Sequence, residues 1–170
     1  VGNKPETSVI FAAVDPQSQE AVDAMTAYFA ELATRFTNGF DPGDALTHGA
    51  DQFREPKGRF ILGFVNDQVV SCGGIQLLES QVAEIKRMWV DPAWRGRGVG
   101  AATLRYLEDV GHAFEAHTVY LDTNSVLHEA IAMYTSRGYL SVAAYNDNPY
   151  AQRWYAKKLG PSDGPEQLPE

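Results

Sequence analysis

The sequence has a single cysteine, Cys72, so no disulfide can form within the chain, and a reducing compartment is expected. No apolar run approaches ~18 residues, which excludes a helical membrane span. Val1-Gly2-Asn3-Lys4 is not followed by an apolar stretch, so no signal peptide is expected; the missing initiator Met leaves excision from a longer chain open. Positive charge is scarce: 14 Lys and Arg stand against 22 Asp and Glu, a formal net charge of −8. A nucleic-acid partner would call for a basic footprint, so none is expected. His48, His112, His117 and His128 are scattered and read as structural or surface residues, and without clustered ligands no metal is expected. There is no internal repeat. These absences predict one cytoplasmic domain over residues 1–159, with no membrane partner. Pro161, Gly164, Pro165 and Pro169 predict a disordered tail over 160–170.

What is present centres on Glu84 to Gly111. Ile85 to Val90 is bulky and apolar enough for a buried strand, and Asp91-Pro92 ends it, because Pro cannot donate to a ladder. Gly96, Gly98 and Gly100 follow, then Leu104, Leu107 and Val110 at helical spacing. A glycine turn opening a helix leaves several N–H groups pointing one way, at the positive end of the helix dipole, and suits a phosphate or pyrophosphate. Arg95 and Arg97 add full charges. Between Glu84 and Arg105 the charge balance of the chain inverts, with Lys86, Arg87, Arg95, Arg97 and Arg105 facing only Glu84 and Asp91. A Walker A loop is excluded, since no Lys-Ser or Lys-Thr follows these glycines. A dinucleotide fingerprint stays open. The glycines run GxGxG rather than GxGxxG, but Asp122 ends a later apolar run where a ribose-binding acid would stand.

Arg95, Gly98 and Gly100 also fill an [RQ]xxGx[GA] turn. Strand, V-D-P, turn, amphipathic helix, second strand Val119 to Asp122, and a helix with Tyr134 ending at Gly138-Tyr139 follow in order. Over residues 59 to 144 this order resembles the GNAT (Gcn5-related) N-acetyltransferases. The resemblance implies an α+β fold of mixed α/β type, the GNAT acyl-CoA N-acyltransferase fold, with a central mixed, mostly antiparallel sheet flanked by helices. It also implies acetyl-CoA as cosubstrate, gripped at Arg95, Gly96, Arg97, Gly98, Val99, Gly100 and Ala101. Asn124 would bond the cofactor or a water chain. An acyl-CoA-binding or interaction module that keeps the fold without turnover is the alternative.

Other segments read as follows. Val9 to Val14 predicts a first strand, and Asp15-Pro16 a helix start with Asp as N-cap. Val22, Met25, Phe29, Leu32 and Phe36 form one apolar helix stripe. Residues 37 to 57 read as a long loop, which the family resemblance sets beside the acceptor; Arg35, Phe36 and Phe40 are candidate acceptor contacts. Asn66-Asp67 predicts a hairpin, and Gly73-Gly74 a bulge or a close backbone approach. Strict alternation gives the strand before the turn no cleanly apolar face, so a β-bulge near Met88 is expected. By resemblance, Met88, Trp89 and Val90 there bind cofactor through their main chain. Cys72 reads as a small buried hydrophobe. Thr123-Asn124-Ser125 reads as a helix cap, Tyr139 to Ala144 and Gln152 to Lys157 as two last strands, and Tyr145 as part of a polar turn facing the acceptor.

The expected chemistry is direct attack, in a ternary complex, of a small-molecule or peptide primary amine on the acetyl group. An alkyl amine with pKa near ~10.4 must lose a proton, and a thiolate with conjugate acid near ~8.5 must gain one. Glu84, eleven residues before Arg95, stands where several family members carry a base, and Tyr134 lies in A-x-x-x-Y-x-x-x-G-[YF], where the family places a tyrosine at the cofactor sulfur. The acidic balance favours a cationic acceptor. A homodimer is compatible with the composition.

Overall fold

A computed structural model describes residues 7–160; the expected tail from 161 on lies outside the described residues. Strands β1 (Ile10–Val14), β2 (Gly58–Val65), β3 (Gln68–Glu79), β4 (Val82–Val90), β5 (Thr118–Thr123), β6 (Leu140–Ser141) and β7 (Arg153–Lys158) form one sheet in the order β1-β2-β3-β4-β5-β7-β6. All neighbours run antiparallel except β4 and β5, which are parallel. Helices α1 (Gln19–Arg35), α2 (Val99–Ala113) and α3 (His128–Ser136) flank it. The expected fold class holds.

Alternation along the strands supplies two cores. Phe60 and Leu62 of β2 pack with Met25, Phe29 and Leu32 of α1 and with Phe53, while Ile61 points the other way, to Leu104 and Leu107 of α2 and to Val119. Met25, Phe29 and Leu32 of the stripe read from the sequence are therefore on the sheet-facing side of α1, joined by Ala21 and Ala24, while Val22 stays outside the core and Phe36 lies just past the helix end. Asn66 and Asp67, at φ 48° and 64°, make the tight hairpin between β2 and β3. Gly73 and Gly74 are close approaches, as expected. A Cβ at Gly73 would sit 2.7 Å from the Leu107 side chain, and one at Gly74 2.5 Å from the Phe53 ring.

Three expectations are corrected. Helix α1 starts after Ser18, whose hydroxyl accepts from Ala21 N at 3.4 Å; Asp15 instead closes a turn by accepting from Gln17 N at 2.8 Å. Helix α3 begins only at His128 without a side-chain cap, because Asn124 spends its carbonyl on Val126 N (3.1 Å) and its amide on Tyr150 O (2.9 Å). The strand expected over Tyr139 to Ala144 shrinks to Leu140–Ser141. Beyond it, Tyr145 and Asn146 turn inward to buried carboxylates, which takes the chain off the sheet edge.

Candidate active site

The site begins where β4 loses a neighbour. Its pairing with β5 runs only from Val82↔Thr118 to Glu84↔Tyr120, yet β4 continues to Val90. From Ile85 on, one edge of β4 has no strand beside it. On the other edge, Cys72 pairs with Trp89 and Gly74 with Lys86, so Arg87 and Met88 together oppose Gly73. That is the expected bulge. Arg87 occupies it at φ 57°, a left-handed conformation uncommon for a residue with a Cβ. The bulge explains a paradox of the strand: Ile85 and Trp89 have the same parity, yet Ile85 lies in the α2-side core and Trp89 in the α1-side core.

After β4, Asp91 caps a short turn of helix, Pro92–Trp94, by accepting from Ala93 N at 2.9 Å. Gly96 (φ 75°) and Gly98 (φ 81°) then adopt left-handed geometry, and Gly98 is the N-cap of α2 with no side-chain cap. The first N–H groups of α2 are thus free, at the positive end of a 15-residue helix. Arg95 flanks them. Its Nη2 donates to both carboxylate oxygens of Glu31 on α1, at 2.7 and 2.8 Å, and to Val90 O at 3.0 Å. Arg97 instead lies over the Trp94 ring, 5.0 Å from its centroid.

A cavity of about 770 Å³ runs from this turn, along the open edge of β4, to the ends of α1 and α3. Its far wall is aromatic. Phe40 lies 4.7 Å from Tyr150 and 5.3 Å from Phe29, and Phe36 lies 5.9 Å from both Phe40 and Tyr150. Tyr150 fixes the wall to the loop after α1, its hydroxyl accepting from Asp41 N at 3.0 Å. Between wall and turn, two tyrosines, Tyr28 and Tyr134, line the cavity. Neither hydroxyl has a hydrogen-bond partner among the described residues. Burial pushes both phenols above the usual range, and the negative charge of Asp122 pushes further. Both are neutral O–H groups at pH 7.

Beside them is a buried polar network. Glu84 is 3 % exposed and accepts from Tyr145 OH at 2.6 Å, Gln76 Nε2 at 2.9 Å and Asn146 Nδ2 at 3.3 Å. Asn146 also donates to Asp122 at 2.6 Å and is itself held by Trp154 Nε1 at 2.9 Å. Lys86 Nζ stands between the two carboxylates, 3.6 Å from Glu84 and 3.9 Å from Asp122. Burial, then the hydrogen bond to Glu84, pushes the Tyr145 phenol up.

Of the residues expected from sequence, Arg35, Phe36, Phe40, Met88, Trp89, Val90, Arg95, Gly96, Gly98, Gly100, Ala101, Asn124 and Tyr134 line the one cavity. Arg97, Val99, Tyr145 and Glu84 do not. Val99 is buried as the first residue of α2, and Tyr145 faces Glu84 rather than an acceptor. Glu84, expected as the base, lies outside the cavity wall, its oxygens taken by three donors; Glu31, Asp41, Asp122 and Glu129 are the carboxylates on the wall, and Asp122, the one beside Glu84, accepts from Asn146 at 2.6 Å and from Asn148 at 3.3 Å. Sequence reasoning did not place Tyr28, Glu31 or Asp122 on this cavity, while Tyr150 belongs to the turn from Tyr145 that was expected to face the acceptor. Of the three, Asp122 alone left a signal, at the end of an apolar run. Cys72 is fully buried, its thiol pushed up to about 12, as expected of an inert core residue.

A seven-stranded sheet that opens beyond its single parallel pair, with a glycine turn and a helix N-terminus at the opening, defines the acyl-CoA N-acyltransferase fold. Residues 25–139 match the acetyltransferase (GNAT) family, and the chain belongs to that family. A curated "IAA acetyltransferase" of Azospirillum brasilense is 33% identical over 86 residues, which are 50% of this chain and 56% of the relative, so the chain spans just over half of that relative's length. A GNAT-family acetyltransferase from Staphylococcus aureus superposes with a TM-score of 0.76 at 15% identity, covering 90% of this chain and 100% of that one. A GNAT-family acetyltransferase from Elizabethkingia anophelis, solved with acetyl-CoA bound, gives a TM-score of 0.66 at 13% identity over 92% and 100% of the two chains. Among the described residues, no helix is long and apolar enough to cross a membrane.

Proposed function

We propose that this acetyltransferase moves an acetyl group from acetyl-CoA to a primary amine held in the same cavity. The observation that carries the reading is the continuity of that cavity. An anion-suited turn, an aromatic wall and Tyr134, whose hydroxyl has no partner among the described residues, all line it. The residues fit the cosubstrate. Free N–H groups of α2 and the left-handed Gly98 suit a pyrophosphate, and Arg95 is a cation beside it. The unpaired edge of β4 from Ile85 to Val90 offers backbone groups to an extended amide-bearing arm, as an added strand would. Bound acetyl-CoA supplies an activated acetyl thioester.

The chain's own residues then manage protons. Asp122, on the cavity wall, takes the proton that an amine with pKa near ~10.4 carries at neutral pH. Glu84 and Lys86 set the charge around Asp122 and hold its position through Asn146. Tyr134, kept neutral by burial, gives its proton to the departing sulfur and regains one from solvent. In balance, an N–C bond replaces an S–C bond; the nitrogen loses two protons, one through Asp122 to solvent and one to solvent as the amide forms, while Tyr134 gives one to sulfur and regains one from solvent, so one proton is released overall. Incubation with acetyl-CoA and a simple primary amine should release free thiol and acetylated amine in equal amounts. Tight acetyl-CoA binding with no thiol released by any amine would reject the reading.

A further inference from the structure

The acceptor half of the cavity carries information about the acceptor. Two properties stand out: the charge around Asp122 and the three aromatic rings beyond it. Asp122 and Glu84 flank a single Lys86, so this buried cluster holds two formal negative charges against one positive. The other uncompensated cation near it, Arg87, is turned away, its guanidinium donating to Ala45 O at 2.8 Å and Gly49 O at 3.3 Å. One further cation is needed to balance the cluster, and an ammonium group beside Asp122 supplies it.

Beyond Asp122 the wall is Phe36, Phe40 and Tyr150, three rings within 5.9 Å of one another. The polar atoms of Tyr150 are already engaged. The Tyr150 hydroxyl accepts from Asp41 N, its carbonyl accepts from Asn124, and its N–H donates to Asn148 Oδ1 at 3.1 Å. Arg35 donates to Val126 O at 2.9 Å and to Glu129 at 3.0 Å. A hydroxyl, amine or peptide group set against the faces of these rings would lose its hydration and find no donor or acceptor there in return. An apolar ring would lose nothing and would stack at the 4.5–7 Å spacing that aromatic pairs adopt.

Resting on the N-acetyltransferase reading above, we propose that the acceptor is a primary amine on a short chain bearing a flat apolar ring, with its ammonium at Asp122 and its ring against Phe36, Phe40 and Tyr150. The test is kcat/KM at saturating acetyl-CoA for 2-phenylethylamine, n-butylamine, spermidine and a lysine peptide, read as released thiol. Phenylethylamine should exceed n-butylamine by roughly tenfold or more, the return on burying one ring, and should exceed the two polar amines by a wider margin. Phe40→Ala should cut the phenylethylamine value about tenfold more than that of n-butylamine. As a measurement independent of that variant's folding, 2-phenylethanol should inhibit the unaltered protein competitively against the amine, and 1-butanol far more weakly. Spermidine or the peptide matching phenylethylamine would overturn the acceptor class while N-acetyl transfer stands. No thiol from any amine, with acetyl-CoA bound by calorimetry, would overturn both.

Discussion

The two halves of the cavity are built in opposite ways. The turn half comes from one continuous run, β4 through α2, and works through main-chain groups: an unpaired strand edge, two left-handed glycines and a helix N-terminus. The wall half is assembled from α1, the loop after it, the end of β5 and the loop before β7, and works through side chains. Backbone recognition is indifferent to most substitutions, whereas a side-chain wall can be rewritten one residue at a time. Within such a fold the grip on the cosubstrate can stay fixed while the acceptor changes.

Mutations should separate these halves. The largest expected effect is at Asp122. Asp122→Asn keeps its size and should lower kcat by about 10²- to 10³-fold, with acetyl-CoA affinity unchanged. The deficit should narrow as pH rises toward the amine's own pKa near ~10.4, where the amine loses its proton unaided. Glu84→Gln is the control. It places an NH₂ where donors already converge, so it should cost about 1–3 kcal/mol of stability by thermal melting, with a much smaller loss of turnover. Equal turnover losses at both positions would return the base role to Glu84.

Tyr134→Phe comes next. The hydroxyl has no protein partner among the described residues, so the melting temperature should barely move, while turnover should fall roughly 10²-fold. A lowered melting temperature with undiminished turnover would make Tyr134 a packing residue beside Tyr139 and Tyr155, 5.8 and 6.4 Å away. The smallest effect on chemistry belongs to the turn. Gly98→Val forces a β-branched residue to φ 81°, at a cost of about 1–2 kcal/mol, and should weaken acetyl-CoA by about tenfold or more in calorimetry. Turnover at saturating acetyl-CoA should largely survive. An unchanged dissociation constant in a folded variant would remove the turn from the binding site.

The same contrast explains what could be read from the sequence. The turn half was legible because its signals are local: glycine spacing, a Pro stop, and a strand whose alternation fails where the bulge sits. The wall half was only partly legible. Phe36 and Phe40 could be suspected from a long loop, but Tyr150 joins them only through folding, 110 residues after Phe40 in the sequence. Glu84 was placed by its spacing from Arg95, and spacing says nothing about which face of a strand a carboxylate takes or which donors reach it. Tyr145 and Asn146 reach it from 61 and 62 residues away. The same two residues explain the lost strand beyond Ser141, since β-propensity there yields to buried hydrogen bonds. The helix start at Ser18 rather than Asp15 is a contest between two good caps, decided by Asp15 accepting from Gln17 and pairing with Arg54 at 3.0 Å.

Arg87 joins the two halves. Its backbone forms the bulge that opens the edge of β4, while its guanidinium, lowered to about 10 by burial, rests on carbonyls of the loop after α1 and over the Phe53 ring at 4.8 Å. No carboxylate stands within ion-pair distance of it among the described residues. Carbonyl dipoles and the more distant charge of Asp44 are therefore its counter-charge, and swinging the loop away would strand a full charge in a low dielectric. Through this one side chain the loop and the bulge are tied, so the aromatic wall and the kink of β4 are expected to loosen together.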